Sequence, residues 1–490
     1  MTEKDLMRKI DDLEVKDNFE ELNDNILYDK YTKKTNKNLK IAFAPVICFL
    51  LLILIIPFLL INKSEDKDEN VNNPETPIVN LESGLLYKAS NKVDLANLNL
   101  VDNTEYQTFV HKIQLFSSRL AVAIYQDSEK NQNFCVSPLS VYMALSMVIA
   151  SGDGVAQQEI LTAVGVTKKE VVDFTKYLYA HLKMEKYKYD DELEKEVLTS
   201  ILDLNNSIWI NDIVTLKNQG LENLANNFNA DSYHVPFTTD NEKANALLSQ
   251  YVDNKTRGLI KPKLRLEEDT LFALVNTLYM KDIWAGDQEE LRVTSKEFDF
   301  INANGNIEKT RLMITDYMPG NIYEGDIYRH FYVQTDNGYF LKLIVPKDGY
   351  SVSDIYTQET LMEVNSISDY NTFGHYTSVE FPSFEASYNG NLVECFEEDF
   401  DVKKIFTAGD HMRSLTDQSL FISQIIHETK LKVDEKGIEG AAVTIIVFSP
   451  ESSGPDGEYH RFIVDRAFAY LLTDGFGNIL FTGVVNTLAQ

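Results

Sequence analysis

The chain has 490 residues, more than one typical domain needs, so length alone allows two or three units or one large one. Its 44% apolar composition is that of a globular protein and excludes wholesale disorder. The formal net charge of −29 argues against nucleic acid, whose phosphates demand a basic face.

In chain order, residues 1–40 form a short polar tail whose one amphipathic set, Leu6, Ile10 and Leu13, reads as a solvated helix. Residues 41–61 read IAFAPVICFLLLILIIPFLLI, an uncharged run matching the ~20 residues that cross a bilayer. Pro45 and Pro57 are tolerated in membrane spans but costly in soluble helices. A long polar stretch precedes the run and no small-residue cleavage site follows, so it reads as a transmembrane anchor rather than a cleaved signal. Lys30, Lys33, Lys34, Lys37 and Lys40 crowd its N-terminal side, while Lys63 and Lys67 sit among Glu65, Asp66, Asp68 and Glu69. The positive-inside rule then puts the N-terminus in the cytoplasm and the C-terminal part outside the cell membrane. Residues 62–77, NKSEDKDENVNNPETP, are linker by composition, and an extracytoplasmic linker is expected over 62–103.

Residues 104–490 show no further linker, repeat or low-complexity run and read as one domain. Phe109, Ile113, Phe116, Leu120 and Ile124 have a helical period over 109–125. Ser137-Pro138 starts a second helix, with a capping hydroxyl and proline in the first turn. A third amphipathic helix is predicted over 242–253, and strands over 378–384, 425–433, 462–473 and 479–485. The class is α+β with a large sheet. Cys48, Cys135 and Cys395 allow one pair at most, with no disulfide framework and no CxxC metal site.

Enzyme motifs fail on inspection. His427-Glu428 lacks the second histidine of a zinc protease, and Gly152-Asp153-Gly154 lacks the lysine of a phosphate loop. No G-x-S-x-G elbow occurs, and Asn302-Ala303-Asn304-Gly305 is a turn without a calcium loop's ligand series. The chain is therefore not read as an enzyme, and no catalytic residue, metal or cofactor is assigned.

One segment is unusual. Residues 433–444, VDEKGIEGAAVT, are small and flexible, then run into apolar IIVF and a polar SPESSGPDGE. From Ile438 onward the segment alternates. Ile438, Gly440, Ala442, Thr444, Ile446 and Phe448 would share one face of a strand, all apolar or small. A loop written this way can add itself to a sheet.

Here the sequence closely resembles the serpin family. Its hinge pattern, Glu-x-Gly-Thr-Glu-Ala followed by small residues, is similar to Glu435, Gly437, Ile438, Glu439, Gly440, Ala441, Ala442 and Thr444. The resemblance runs in order through Asn133-Phe134-Cys135-Val136-Ser137-Pro138-Leu139-Ser140, Asn206-Ser207-Ile208-Trp209 and Thr256-Arg257-Gly258-Leu259-Ile260. It continues through Leu274-Val275-Asn276-Thr277-Leu278-Tyr279-Met280-Lys281 with Trp284, Phe381-Pro382-Ser383-Phe384, His427, Phe468, Gly483 and Asn486. Ile438 and Gly440 depart from the usual Thr or Ser and Ala of the hinge. Ser249 replaces an Asn, Asp282 and Asp401 a Gly, and Ala467 and Thr487 a Pro.

The resemblance implies a large central β-sheet, further sheets and about nine helices. It also implies a suicide inhibitor of serine or cysteine proteases, trapped as an acyl-enzyme when the cleaved loop inserts, with a monomeric ectodomain. Residues 435–451, at ~3.3 Å per extended residue, reach roughly 55 Å. The family spacing puts the reactive bond at Glu451-Ser452, which points to a glutamate-preferring protease; Phe448 is the alternative reactive residue, for a chymotrypsin-like target. The resemblance assigns Trp284, Ser137, Ser140, Ser249 and His427 to the region where the sheet opens. A non-inhibitory binding or carrier module is the alternative function.

Overall fold

The structure is a computed structural model. It describes residues 81–90, 100, 102–190, 195–261, 265–286, 290–367, 370, 372–438 and 457–488. The expected tail and anchor, 1–40 and 41–61, lie outside the described residues. No helix among the described residues is long and apolar enough to cross a membrane.

The folded unit begins with β1 (Leu85–Tyr87), α1 (Thr104–Asp127), β2 (Phe134–Val136), α2 (Pro138–Ser151), α3 (Gly154–Val164) and α4 (Lys168–Leu182). Next come β3 (Met184–Asp190), β4 (Lys195–Asn211), α5 (Asn218–Asn227), β5 (Ala230–Val235), α6 (Asn241–Lys255) and β6 (Phe272–Ile283). Short strands succeed them: β7 (Arg292–Val293), β8 (Phe298–Ile301), β9 (Ile307–Thr310), β10 (Leu312–Ile314), β11 (Met318–Pro319) and β12 (Tyr323–Glu324). β13 (Tyr328–Gln334), β14 (Phe340–Pro346), α7 (Val352–Ile355), α8 (Gln358–Ser366), β15 (His375–Pro382), β16 (Phe384–Asn391) and α9 (Val393–Asp399) lead on. The chain ends in β17 (Gln424–Asp434), β18 (Gly437–Ile438), β19 (Glu458–Ile463), β20 (Phe468–Thr473) and β21 (Ile479–Val485).

Among the described residues, fourteen strands form the main sheet, in the order β1-β5-β4-β6-β18-β17-β16-β2-β21-β20-β14-β13-β12, with β3 on β4. A second sheet runs β11-β15-β10-β7, and β19 pairs with β15. β8 and β9 form a third.

Local chemistry sets the helices. The Asn103 side chain accepts from Tyr106 N at 2.9 Å and caps α1, and Thr167 with Glu170 makes a reciprocal capping box at α4. Ser137 caps α2 ahead of Pro138, as the sequence predicts. α2 and α6 cover opposite faces of β6, because adjacent strand residues point to opposite sides. Val275 packs in the cluster of Leu248, Val252, Trp209 and Tyr251 beneath α6. Leu274, Leu278 and Met280 belong to the larger core that contains α1, α2 and α4.

The structure differs from expectation at three places. Residues 85–87, inside the stretch expected as linker, form strand β1. β1 pairs with β5, and the half-buried Leu81 and Leu85 pack against the α6 cluster from within the expected linker 62–103. The strand expected over 462–473 is two strands, since β19 belongs to the second sheet and β20 to the main one. The strand expected over 378–384 breaks at Ser383 for the same reason: β15 and β16 lie in different sheets. Asp401, where the resembled pattern has glycine, adopts φ 55°, the left-handed region that glycine occupies without strain.

Candidate functional site

The site is the junction between β6 and β17. These strands pair directly, and in parallel, at one end: Ala273, Leu274 and Val275 against Gln424, Ile425 and Ile426. At the other end β18 lies between them, antiparallel to both, with Ile438 opposite Val433 and Asp282, and Gly437 opposite Asp434 and Ile283. Between those ends, residues 276–281 and 427–432 border a slot rather than a shared ladder. On the α6 side, Leu248, Val252, Val275, Asn276, Thr277, Ile426 and Glu428 line a cleft at the foot of the slot.

The strand turn from β17 into β18 is firmly held. Lys436 N donates to Asp434 Oδ1 at 3.0 Å, and Leu291 N donates to the Glu435 carbonyl at 2.7 Å. Trp284 is buried at the end of β6, donates from Nε1 to the Asp434 carbonyl at 2.9 Å, and meets the Phe381 ring edge-on at 5.9 Å. Gly437 has φ 149°, and a Cβ there would fall well inside contact with the Asp282 carbonyl oxygen. Only glycine fits that approach. Ile438 is fully buried, which places ~1.5–3 kcal/mol of apolar burial at the last described residue before 439–456.

Beneath the slot, on the α2 side, polar groups join the helix to the two strands. Ser137 N donates to His427 Nε2 at 3.1 Å, and Ser140 N donates to Ser137 Oγ at 3.4 Å. Ser140 Oγ bonds to Asn276, which in turn bonds to Asn206 on β4. Burial pulls the His427 imidazole down to about 3, so at neutral pH it is uncharged and can accept at Nε2. The structure therefore brings Ser137, Ser140 and His427 together. Ser249 is elsewhere: it lies half-buried on α6, across the sheet.

Asp282 is the most unusual residue here. Its Oδ1 accepts from Ser200 Oγ and Asn337 Nδ2, each at 2.6 Å, and from Ile283 N at 3.0 Å. Its Oδ2 is buried without a hydrogen-bond partner among the described residues. Burial raises its carboxyl above the ordinary aspartate range, against the lowering effect of those donors. Asn276 and Asn206 lie in segments that carry the resemblance but were not assigned to the site from sequence. The available signal was a polar residue at an inward position of an otherwise apolar strand. Glu439, Gly440, Ala441, Ala442, Thr444, Phe448, Glu451 and Ser452 lie outside the described residues.

Cys135 and Cys395 are free and buried, and burial pushes both thiols up to about 12, which removes them as nucleophiles.

Residues 111–488 match the family described as Serpin (serine protease inhibitor). Iripin-1 of Ixodes ricinus is 27% identical over 400 residues, covering 76% of this chain and 93% of that protein. The crystal structure of Serpin48 from the insect Tenebrio molitor aligns with a TM-score of 0.66 at 21% identity, over 79% of this chain and all of that one. Human thyroxine-binding globulin complexed with its hormone aligns with a TM-score of 0.63 at 19% identity, over 78% of this chain and 100% of that one. The two structural likenesses speak to the fold.

Proposed function

The chain belongs to the serpin family, and on that footing we propose that it traps serine or cysteine proteases by cleavage and insertion of the segment after Ile438. The observation that carries this reading is β18, which lies between β6 and β17 at the top of the slot and antiparallel to both. Continuing that register from Ile438 would set Gly440 opposite Leu431 and Met280, Ala442 opposite Thr429 and Leu278, and Thr444 opposite His427 and Asn276. Every one of those six facing residues is buried, so the three alternating positions Gly440, Ala442 and Thr444, all small and uncharged, match the face they would meet. Going further requires the three pairs between Ala273–Val275 and Gln424–Ile426 to part.

A protease that forms an acyl-enzyme is carried with the inserting strand. Displacing a catalytic group by ~1 Å costs ~10²-fold in rate, enough to stall deacylation. Metallo- and aspartic proteases form no such intermediate and escape. Glu451-Ser452 is the reactive bond of this reading, and a glutamate-preferring protease its target. The lysine asymmetry around residues 41–61 supports a single-pass anchor with the folded unit outside the cell.

A second reading, a binding or carrier module, is favoured by Ile438. A buried apolar residue holds the hinge in place more firmly than the Thr or Ser of the family pattern. Incubation with a panel of serine and cysteine proteases decides between them. An SDS-resistant complex is expected; simple cleavage of the loop with every protease released active would remove the inhibitory reading.

A further inference from the structure

Away from the slot, β15 and β19 run parallel, with His375 beside Glu458 and Thr377 beside His460. Alternate strand residues share a face, so His375, Glu458 and His460 stand together on one side. His375 Nδ1 lies 3.2 Å from His460 Nε2 and 3.6 Å from Glu458 Oε2. The three ligand atoms fall within 4.8 Å of one another. Two nitrogens each ~2.0–2.1 Å from a tetrahedral zinc stand ~3.3 Å apart, close to the separation seen here. Glu458 is 74% exposed on its side chain, so a rotamer change suffices to bring its carboxylate to the same centre.

We propose that His375, His460 and Glu458 bind one zinc-class divalent ion, with the fourth position open to water. Two imidazoles and one carboxylate select borderline ions over calcium and magnesium, which prefer oxygen. A chain of net charge −29 raises the local concentration of any cation. The ion would clasp β19 to β15, its one partner strand among the described residues. β19 is the first described strand after residues 439–456, so the clasp would fix the C-terminal anchor of that segment whether or not the segment inhibits a protease.

Zinc chloride titrated calorimetrically into the purified full-length chain tests this. Wild type should show a site that His375→Ala and His460→Gln each weaken at least ~10-fold. His411→Ala is the control, since that ring faces the Thr407 carbonyl instead. Cobalt(II) should give visible d–d absorption typical of a tetrahedral nitrogen and oxygen site in wild type, lost in both variants. Zinc should also slow amide exchange across 458–463 in wild type and not in His460→Gln. Equal zinc uptake by wild type and the His375→Ala/His460→Gln double variant would overturn the proposal. So would an absence of zinc binding together with a lower melting temperature for the variants, which would mark the pair as a ring-to-ring hydrogen bond.

Discussion

Gly437→Ala tests the seating of the hinge. The added Cβ would press on the Asp282 carbonyl oxygen and come within 3.0 Å of the Asp282 carbonyl carbon and Ile283 Cα. These are backbone atoms of a central strand, so no side-chain rotation relieves them. A φ of 149° adds ~1–3 kcal/mol for any residue with a side chain, and overpacking adds another ~1–3 kcal/mol. Against that strain stands what holds β18 in place, ~1.5–3 kcal/mol from burying Ile438 and about 1 kcal/mol for each retained hydrogen bond. β6 is paired along most of its length with β4, whereas β18 has two residues. The strain should therefore expel β18 rather than open the sheet, and an excess of ~1.4 kcal/mol suffices for a 10:1 population outside. Global stability should fall by no more than the few kcal/mol that seat the hinge. Amide exchange at Ile438 reports the change directly. Tryptophan emission reports it independently, because Trp284 bonds to Asp434 beside the hinge while Trp209 stays stacked on Tyr233 at 4.2 Å. Unchanged protection of the Ile438 amide with unchanged emission would refute the reasoning.

Other outcomes follow from the same geometry. Thr444→Arg would set a guanidinium opposite His427 and Asn276 after insertion, a cost of several kcal/mol, so the variant should be cleaved normally yet release active protease. Mass spectrometry after separate exposure to a glutamate-specific and a chymotrypsin-like protease should find an SDS-resistant complex and a C-terminal fragment beginning at Ser452 with the first; a complex with the second alone, and a fragment beginning at Ser449, would move the reactive bond to Phe448. Asp282→Asn should be more stable than wild type at about pH 8 and nearly equal at about pH 4. Native Asp282 has a raised pKa, so the folded state holds its proton longer and wild-type stability is lost as pH rises through the folded value. Parallel melting curves for the two proteins across that range would refute the role given to the buried carboxyl.

Three of the helices were legible because their signals are local. Ser137-Pro138 and the apolar period over 109–125 each sit within one element, and the structure extends the second by five residues before it and two after. Of the alternating set that begins at Ile438, only Ile438 lies among the described residues, where it is buried in β18. What sequence hid was which sheet each strand joins. Residues 462–473 are almost continuously apolar, yet the chain leaves the second sheet at Ile463 and joins the main one at Phe468. Leu81 and Leu85 were hidden by the acidic and Asn-rich stretch that precedes them. His375, Glu458 and His460 were invisible for a stricter reason: a parallel register between distant segments brings them together, and no spacing along the chain encodes it.

In the proposed mechanism, chain geometry explains why cleavage is the trigger. A strand inserted from Ile438 to Glu451 descends 13 residues, roughly 43 Å, along the slot. From Glu451 to the start of β19 at Glu458 there are seven residue steps, a reach of roughly 23 Å. β19 sits on β15, and β15 touches Trp284 at the top of the slot through Phe381. The uncut segment is thus too short to insert fully unless β19 first leaves β15, where six residues on each strand are in register. A cut at Glu451-Ser452 removes that tether without disturbing the hinge. What then opposes insertion is the three-residue ladder between β6 and β17, and two longer ladders replace it. The balance of hydrogen bonds favours insertion once the chain is cut, and the short tether to β19 blocks it while the chain is whole.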